Sequence, residues 1–156
     1  MNVFESLPDL SGIEQLRVLM GNGRRAPIAD ALDFSLVAIE EGKAVIAGAP
    51  SLKVYNGIGS IHGGYAATLL DSACGCAVHS RLAPNQGYST LELKVSYLRA
   101  LTLDIGTVKA EGTVLSMGRR VAFVQATLCD QSGVLYALAS STLLLFERRV
   151  AEASAG

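Results

Sequence analysis

The stretch from Asn56 to Asp71, Asn-Gly-Ile-Gly-Ser-Ile-His-Gly-Gly-Tyr-Ala-Ala-Thr-Leu-Leu-Asp, limits this chain more than any other. A Gly-rich turn carrying Asn56 and His62 runs into Tyr65 to Val78, a segment apolar or small at nearly every position and about four helical turns long. A helix that is apolar all round belongs inside a protein, so the chain must supply enough structure to enclose it. Asp71 is the only charged residue between His62 and His79. A carboxylate in such a helix needs a hydrogen-bond partner, a counter-charge or a chemical task.

The enclosing elements read as one short helix and a set of strands. Ser11-Gly-Ile-Glu14 has the form of a capping box, and Ile13, Leu16, Val18, Leu19 and Met20 give an apolar stripe that ends at Gly21-Asn-Gly23, so a helix is expected over about 11–21. Leu32 to Glu40 and Lys43 to Ala49 are strand-like and joined by Glu41-Gly42, with Pro50 closing the second. Ser51 to Ile61 reads as a loop. After the long helix, strands are expected over Tyr88 to Leu98, Leu103 to Met117, Arg120 to Cys129 and Val134 to Phe146, the last set off by Asp130-Gln-Ser-Gly133. Connections this short predict antiparallel pairing of consecutive strands. The fold class is α+β: one long buried helix wrapped by a sheet of about six antiparallel strands, in a single domain over 1–149 followed by a frayed tail over 150–156.

Composition narrows the function classes. The 156 residues carry a formal net charge of −1, against the basic balance of a nucleic-acid binder. No uncharged apolar run reaches the length of a membrane span, and Met1 to Leu10 lacks a cationic start followed by an apolar core, so a soluble cytoplasmic protein is expected. Three cysteines, Cys74, Cys76 and Cys129, are an odd number without a Cys-x-x-Cys pair, which fits reduced thiols.

The central stretch can support chemistry. The first amides of a helix lack partners and carry the positive end of its dipole, so Gly63 and Gly64 would let a ligand oxygen approach. Such donors suit a developing oxyanion, where one is worth roughly 3 kcal/mol. Asp71 lies eight residues beyond Gly63, roughly 12 Å along the axis. Both groups can reach one carbonyl only if they come from two subunits related by a two-fold axis. Each residue also has a plainer reading: turn glycines, a structural Asp71, a capping or core His62, an Asn-Gly turn at Asn56, thiols that pack as small hydrophobes, and a solvated hairpin tip at Arg119 and Arg120. His62, Asp71 and His79 lack metal-ligand spacing.

Taken together, Asn56, then His62-Gly63-Gly64, then Asp71 resemble the active-site segment of hotdog-fold acyl-CoA thioesterases of the phenylacetate-degradation (PaaI-like) type, relatives of the 4-hydroxybenzoyl-CoA thioesterases. The resemblance extends to Thr90-Leu-Glu-Leu-Lys-Val-Ser-Tyr97-Leu-Arg99-Ala, to Val114-Leu-Ser-Met-Gly118-Arg119-Arg120 and to the last strand, covering roughly residues 30–147. It implies that Asp71 activates water or attacks the thioester carbonyl and that the Gly63 amide polarises that carbonyl. Asn56 and His62 would hold the water or the loop, and Thr90, or its neighbour Ser89, would assist Asp71. Gly118, Arg119 and Arg120, with Arg99, would border the coenzyme A phosphates, where guanidinium suits bidentate binding. Ala100 departs from the family, which usually has Pro after Tyr-Leu-Arg.

The resemblance further implies homodimers that pair into tetramers, and hydrolysis of an aromatic or medium-chain acyl-CoA without a metal or redox cofactor, coenzyme A being part of the substrate. Hydration of an enoyl-CoA and non-catalytic acyl-CoA binding are the alternatives.

Overall fold

The computed structural model describes residues 3–5 and 7–148, so the tail expected over 150–156 lies outside the described residues. Its centre is α3, Gly63–His79, which packs against every strand of a six-stranded sheet. The strands are β1 (Phe34–Glu40), β2 (Lys43–Gly48), β3 (Gln86–Tyr97), β4 (Val108–Met117), β5 (Val121–Cys129) and β6 (Leu135–Glu147). All pairings are antiparallel, in the order β1-β2-β4-β5-β6-β3. The expected consecutive pairing therefore fails at β3. After α3 the chain enters the sheet at its far edge, beside β6, and returns to place β4 against β2. Alternation of side chains fixes which face of a strand is buried, and leaves open which strand is its neighbour.

Small residues let the sheet close on the helix. Ala44, Ala110, Ala122, Ala126, Ala137 and Ala139 are all buried in the core that contains Leu69, Leu70, Ala73 and Cys74 of α3. At Gly112 the β4 backbone comes so near the Ala73 carbonyl that a Cβ would collide with it. Register shifts with an extra residue in β1, β3, β4 and β6 add bends that curve the strands around α3.

Two short helices lie outside this unit. The capping box of α1, Gly12–Gly21, is formed: Glu14 Oε2 accepts from the Ser11 amide at 2.8 Å and from the Ser11 hydroxyl at 2.6 Å. The strand expected from Leu32 begins only at Phe34, because Pro27–Leu32 form α2, with Pro27 at its first position and Asp33 ending it in the left-handed region (φ 54°). Likewise β4 starts at Val108 rather than Leu103. A 3₁₀ turn at Leu103–Ile105 and Gly106, with φ 69°, interrupt the extended run.

A buried polar chain holds α1 to the end of α3. His79 is 2% exposed, and its Nε2 lies 2.8 Å from Gln15 Oε1. The Gln15 amide nitrogen donates to the Leu7 and Leu10 carbonyls at 2.8 and 3.2 Å. Phe4 stacks on the imidazole, with ring centroids 4.4 Å apart. Burial, assisted by the charge of Arg148, pushes His79 from 6.5 down to about 4, so the ring is neutral near pH 7.

Two outcomes follow from this packing. Gly112→Val should destabilise the fold by about 1–3 kcal/mol through overpacking, visible as a lower melting temperature; an unchanged one would mean that β4 and α3 can move apart freely. Below pH 6.5 the unfolded chain takes up a proton that folded His79 refuses. Stability is therefore intact above pH 6.5 and falls as pH drops towards about 4, by at most about 3 kcal/mol. Denaturant titrations of wild type and His79→Leu should converge across that window, whereas parallel curves would show that His79 does not contribute.

Candidate active site

The Gly-rich loop is built by Asn56. Its Oδ1 accepts from the amides of Ile58 (3.1 Å) and Ser60 (3.0 Å), its Nδ2 donates to Ser60 Oγ (2.8 Å), and Tyr55 bridges to Ile61. Asn56 thus holds the loop, as an Asx turn does. His62 follows as the N-cap of α3: its Nδ1 accepts from the Gly64 amide at 2.8 Å, which leaves the proton of the neutral ring on Nε2. The Gly63 amide donates to no acceptor among the described residues, and the first turn holds no acidic side chain to neutralise the dipole.

Glycine at 63 and 64 leaves room for neighbouring rings. A Cβ at Gly63 would lie 3.2 Å from the Tyr97 ring, and one at Gly64 would lie 2.9 Å from His62 Nδ1. Tyr97 also donates its hydroxyl to the Gly63 carbonyl at 2.8 Å, fixing the helix start to the end of β3. Sequence reasoning gave Tyr97 no role; the partners are 34 positions apart and no local signal marks the contact.

Asp71 is half-buried, and Thr90 Oγ1 donates to its Oδ1 at 3.1 Å. Thr90, not the exposed Ser89, is the hydroxyl that meets the carboxylate in this chain. One turn further along α3, Gly75 faces the phenol of Tyr88, whose oxygen would be 2.5 Å from a Cβ there. Tyr88 and Thr90 are two apart on β3, so the strand period matches the helix turn that separates Asp71 from Gly75. The nearby thiols are unsuited to attack: burial first, then the Asp71 charge, pushes Cys74 up to about 12, and burial pushes Cys76 up to about 12.

These groups form two separate clusters. At one end of β3, Arg99 lines a groove of about 290 Å³ with His62, Gly63 and Tyr97. At the other, the exposed Gly118-Arg119-Arg120 turn lies near Thr90, since Ser89 is opposite Leu144 and Leu144 is opposite Val121. Thr90 and Tyr97 are seven residues apart, roughly 23 Å of extended strand. One chain therefore brings Asp71 together with Thr90, and His62 with Gly63 and Arg99, but does not join the two sets. Tyr65 and Leu69 of α3 are buried in the core, and Ile58 is 90% exposed on the loop. Among the described residues no group of three or more His, Cys, Asp or Glu could hold a metal ion, and no helix is long and apolar enough to cross a membrane.

A curved antiparallel sheet around one central helix, with a carboxylate and a glycine-rich helix start on that helix, defines a hotdog-fold thioesterase. The sequence model of the thioesterase superfamily matches residues 58–137, and the chain belongs to that family of thioester hydrolases. It is 21% identical over 122 residues to the 1,4-dihydroxy-2-naphthoyl-CoA hydrolase of Listeria monocytogenes, covering 78% of this chain and 98% of that protein. The PaaI protein of the E. coli phenylacetic acid degradation operon superposes with a TM-score of 0.74 at 22% identity, over 89% of this chain and 94% of that one. A Streptococcus mutans UA159 protein, solved bound to acetyl CoA, has a TM-score of 0.67 at 28% identity, over 75% and 91% of the two chains.

The His62 cap gives a test. His62→Ala should lower stability by about 1 kcal/mol, the usual cost of losing an N-cap, read as a drop of about 2–4 °C in melting temperature. An unchanged melting temperature would mean that the bond to Gly64 adds nothing.

Proposed function

We propose that this thioester hydrolase cleaves an acyl-coenzyme A, aromatic or medium-chain, at a site shared by two copies of the chain. The observation that carries this reading is the Asp71–Thr90 hydrogen bond on a helix whose glycine start lies roughly 12 Å away. Thr90 occupies one carboxylate oxygen and leaves the other free to orient water. In that role Asp71 takes a proton from water as its oxygen attacks the thioester carbonyl. The Gly63 amide of the second copy stabilises the developing oxyanion. The intermediate then expels the thiolate of coenzyme A, breaking the C–S bond and leaving the free acid.

The second copy has a place to bind. β3 is one of the two outer strands of the sheet, twelve residues long, with Leu91 and Tyr97, and Leu98 just beyond its end, more than half exposed. Such an edge is a template for another strand. Antiparallel pairing of two β3 strands about a two-fold axis would set the Thr90 end of one against the Tyr97 end of the other. Asp71 would then meet the partner's Gly63 amide, and Arg119 and Arg120 would share a mouth with the partner's Arg99, three guanidinium groups suited to the coenzyme A phosphates. His62 and Asn56 would shape the loop beside the carbonyl, without taking part in proton transfer.

Thiol release from a panel of acyl-CoA substrates tests the proposal. Wild type should release thiol, and Asp71→Asn should lose about 10²–10⁴-fold in kcat, the range for a general base, with an unchanged melting temperature. Full turnover by Asp71→Asn would remove the carboxylate from the mechanism. Loss of enoyl absorbance without thiol release would make the protein a hydratase instead.

A further inference from the structure

A cavity of about 600 Å³ lies between α3 and the two N-terminal helices, within the usual size range of small-molecule pockets. Leu16, Leu19 and Met20 of α1 and Ile28 and Ala29 of α2 form its outer wall. Ser72 and Cys76 of α3, with Tyr88, form the inner wall. That wall abuts the Asp71–Thr90 pair: Ser72 follows Asp71, and Tyr88 precedes Thr90 by two residues on the same strand face. The Tyr88 hydroxyl makes no hydrogen bond among the described residues.

The chemistry of the lining selects the occupant. Arg25 is engaged by Asp30 at 2.7 Å and Asp33 at 3.1 Å, so its charge is already met, and Arg24 is exposed at the rim. His79, at the inner end, is tied to Gln15. An anionic ligand would find no buried unpaired cation here, whereas an uncharged apolar group would find walls of Leu, Ile, Met and Ala. The α1 part of the outer wall is also fixed, because Gln15 bonds His79 on one side and the carbonyls of Leu7 and Leu10 on the other.

We infer that this chamber receives the acyl group of the thioester, and that α1 and α2 set the largest acyl group the protein accepts. The inference rests on the role proposed for Asp71. The outer wall comes from α1 and α2, outside the segment 58–137 that matches the family, so the limit on acyl size and the thioester chemistry reside in different parts of the chain.

Filling the outer wall tests this. Ala29→Phe and Met20→Trp should each lower kcat/KM for octanoyl-CoA by about tenfold or more, since a few methylenes in an apolar pocket are worth that much. Turnover of acetyl-CoA should stay at the wild-type level. An unchanged ratio of octanoyl to acetyl turnover in folded variants would overturn the inference while leaving the proposed hydrolysis intact. Calorimetric titration with octanoyl-CoA and with free coenzyme A is read separately. If wild type hydrolyses neither thioester, the hydrolytic reading fails, and the chamber then stands only if both variants weaken octanoyl-CoA without weakening coenzyme A. Should Ala29→Phe not fold, Met20→Trp, at a position 36% exposed, decides alone.

Discussion

The structure depends on how closely the backbone of α3 approaches the sheet. Gly112 lets β4 sit directly against the Ala73 carbonyl, and alanines on β2, β4, β5 and β6 keep the remaining strands within reach of the helix. Larger side chains at these positions would lift the sheet away, and the short side chain of Thr90 could then no longer span to Asp71. The site geometry is thus a consequence of core packing. The same applies at Gly75, whose missing side chain leaves room for the Tyr88 phenol.

Tight packing also explains how an apolar helix tolerates its one carboxylate. Asp71 is half-buried rather than sealed, and it has a hydroxyl donor, so the cost of removing it from water is partly offset. On the proposed reading, a second copy covering β3 would complete that burial and bring the partner's helix start opposite. The carboxylate and the oxyanion donors would then share a water-poor site, where their interactions with the reacting carbonyl are strongest.

What the sequence disclosed follows the range of the interactions involved. The long helix, the α1 capping box and the strands after Tyr88 are written in local periodicity, whereas the Asp71–Thr90 pairing joins two separate segments and is implied only by the family resemblance, with Ser89 left as the alternative. The position of β3 beyond β6 is not legible, since the alternation in Gln86–Tyr97 would suit any edge. α2 was hidden because Pro27–Leu32 holds too few residues to show a helical period, and its Pro27 signals a start only once a helix is suspected. At Gly63 and Gly64 the sequence suggested room for a ligand, and the structure supplies a second cause, the rings of Tyr97 and His62. A glycine's sequence context does not reveal which neighbour requires it to be small.

The N-terminal layer raises a different question: why a histidine is buried where a leucine would pack. A leucine at position 79 would leave the Gln15 carbonyl oxygen without its partner, and Gln15 is itself buried, so the loss would be an unsatisfied polar atom in the core. Replacing both residues with apolar ones would take the side-chain donor from the Leu10 carbonyl and leave the Leu7 carbonyl with only the Leu10 amide at 3.4 Å. The polar chain therefore acts as one unit that holds α1, the segment over the chamber, in a single position. Apolar contacts alone are non-directional and would allow that segment to slide, and a sliding outer wall could not set a sharp limit on what fits beneath it.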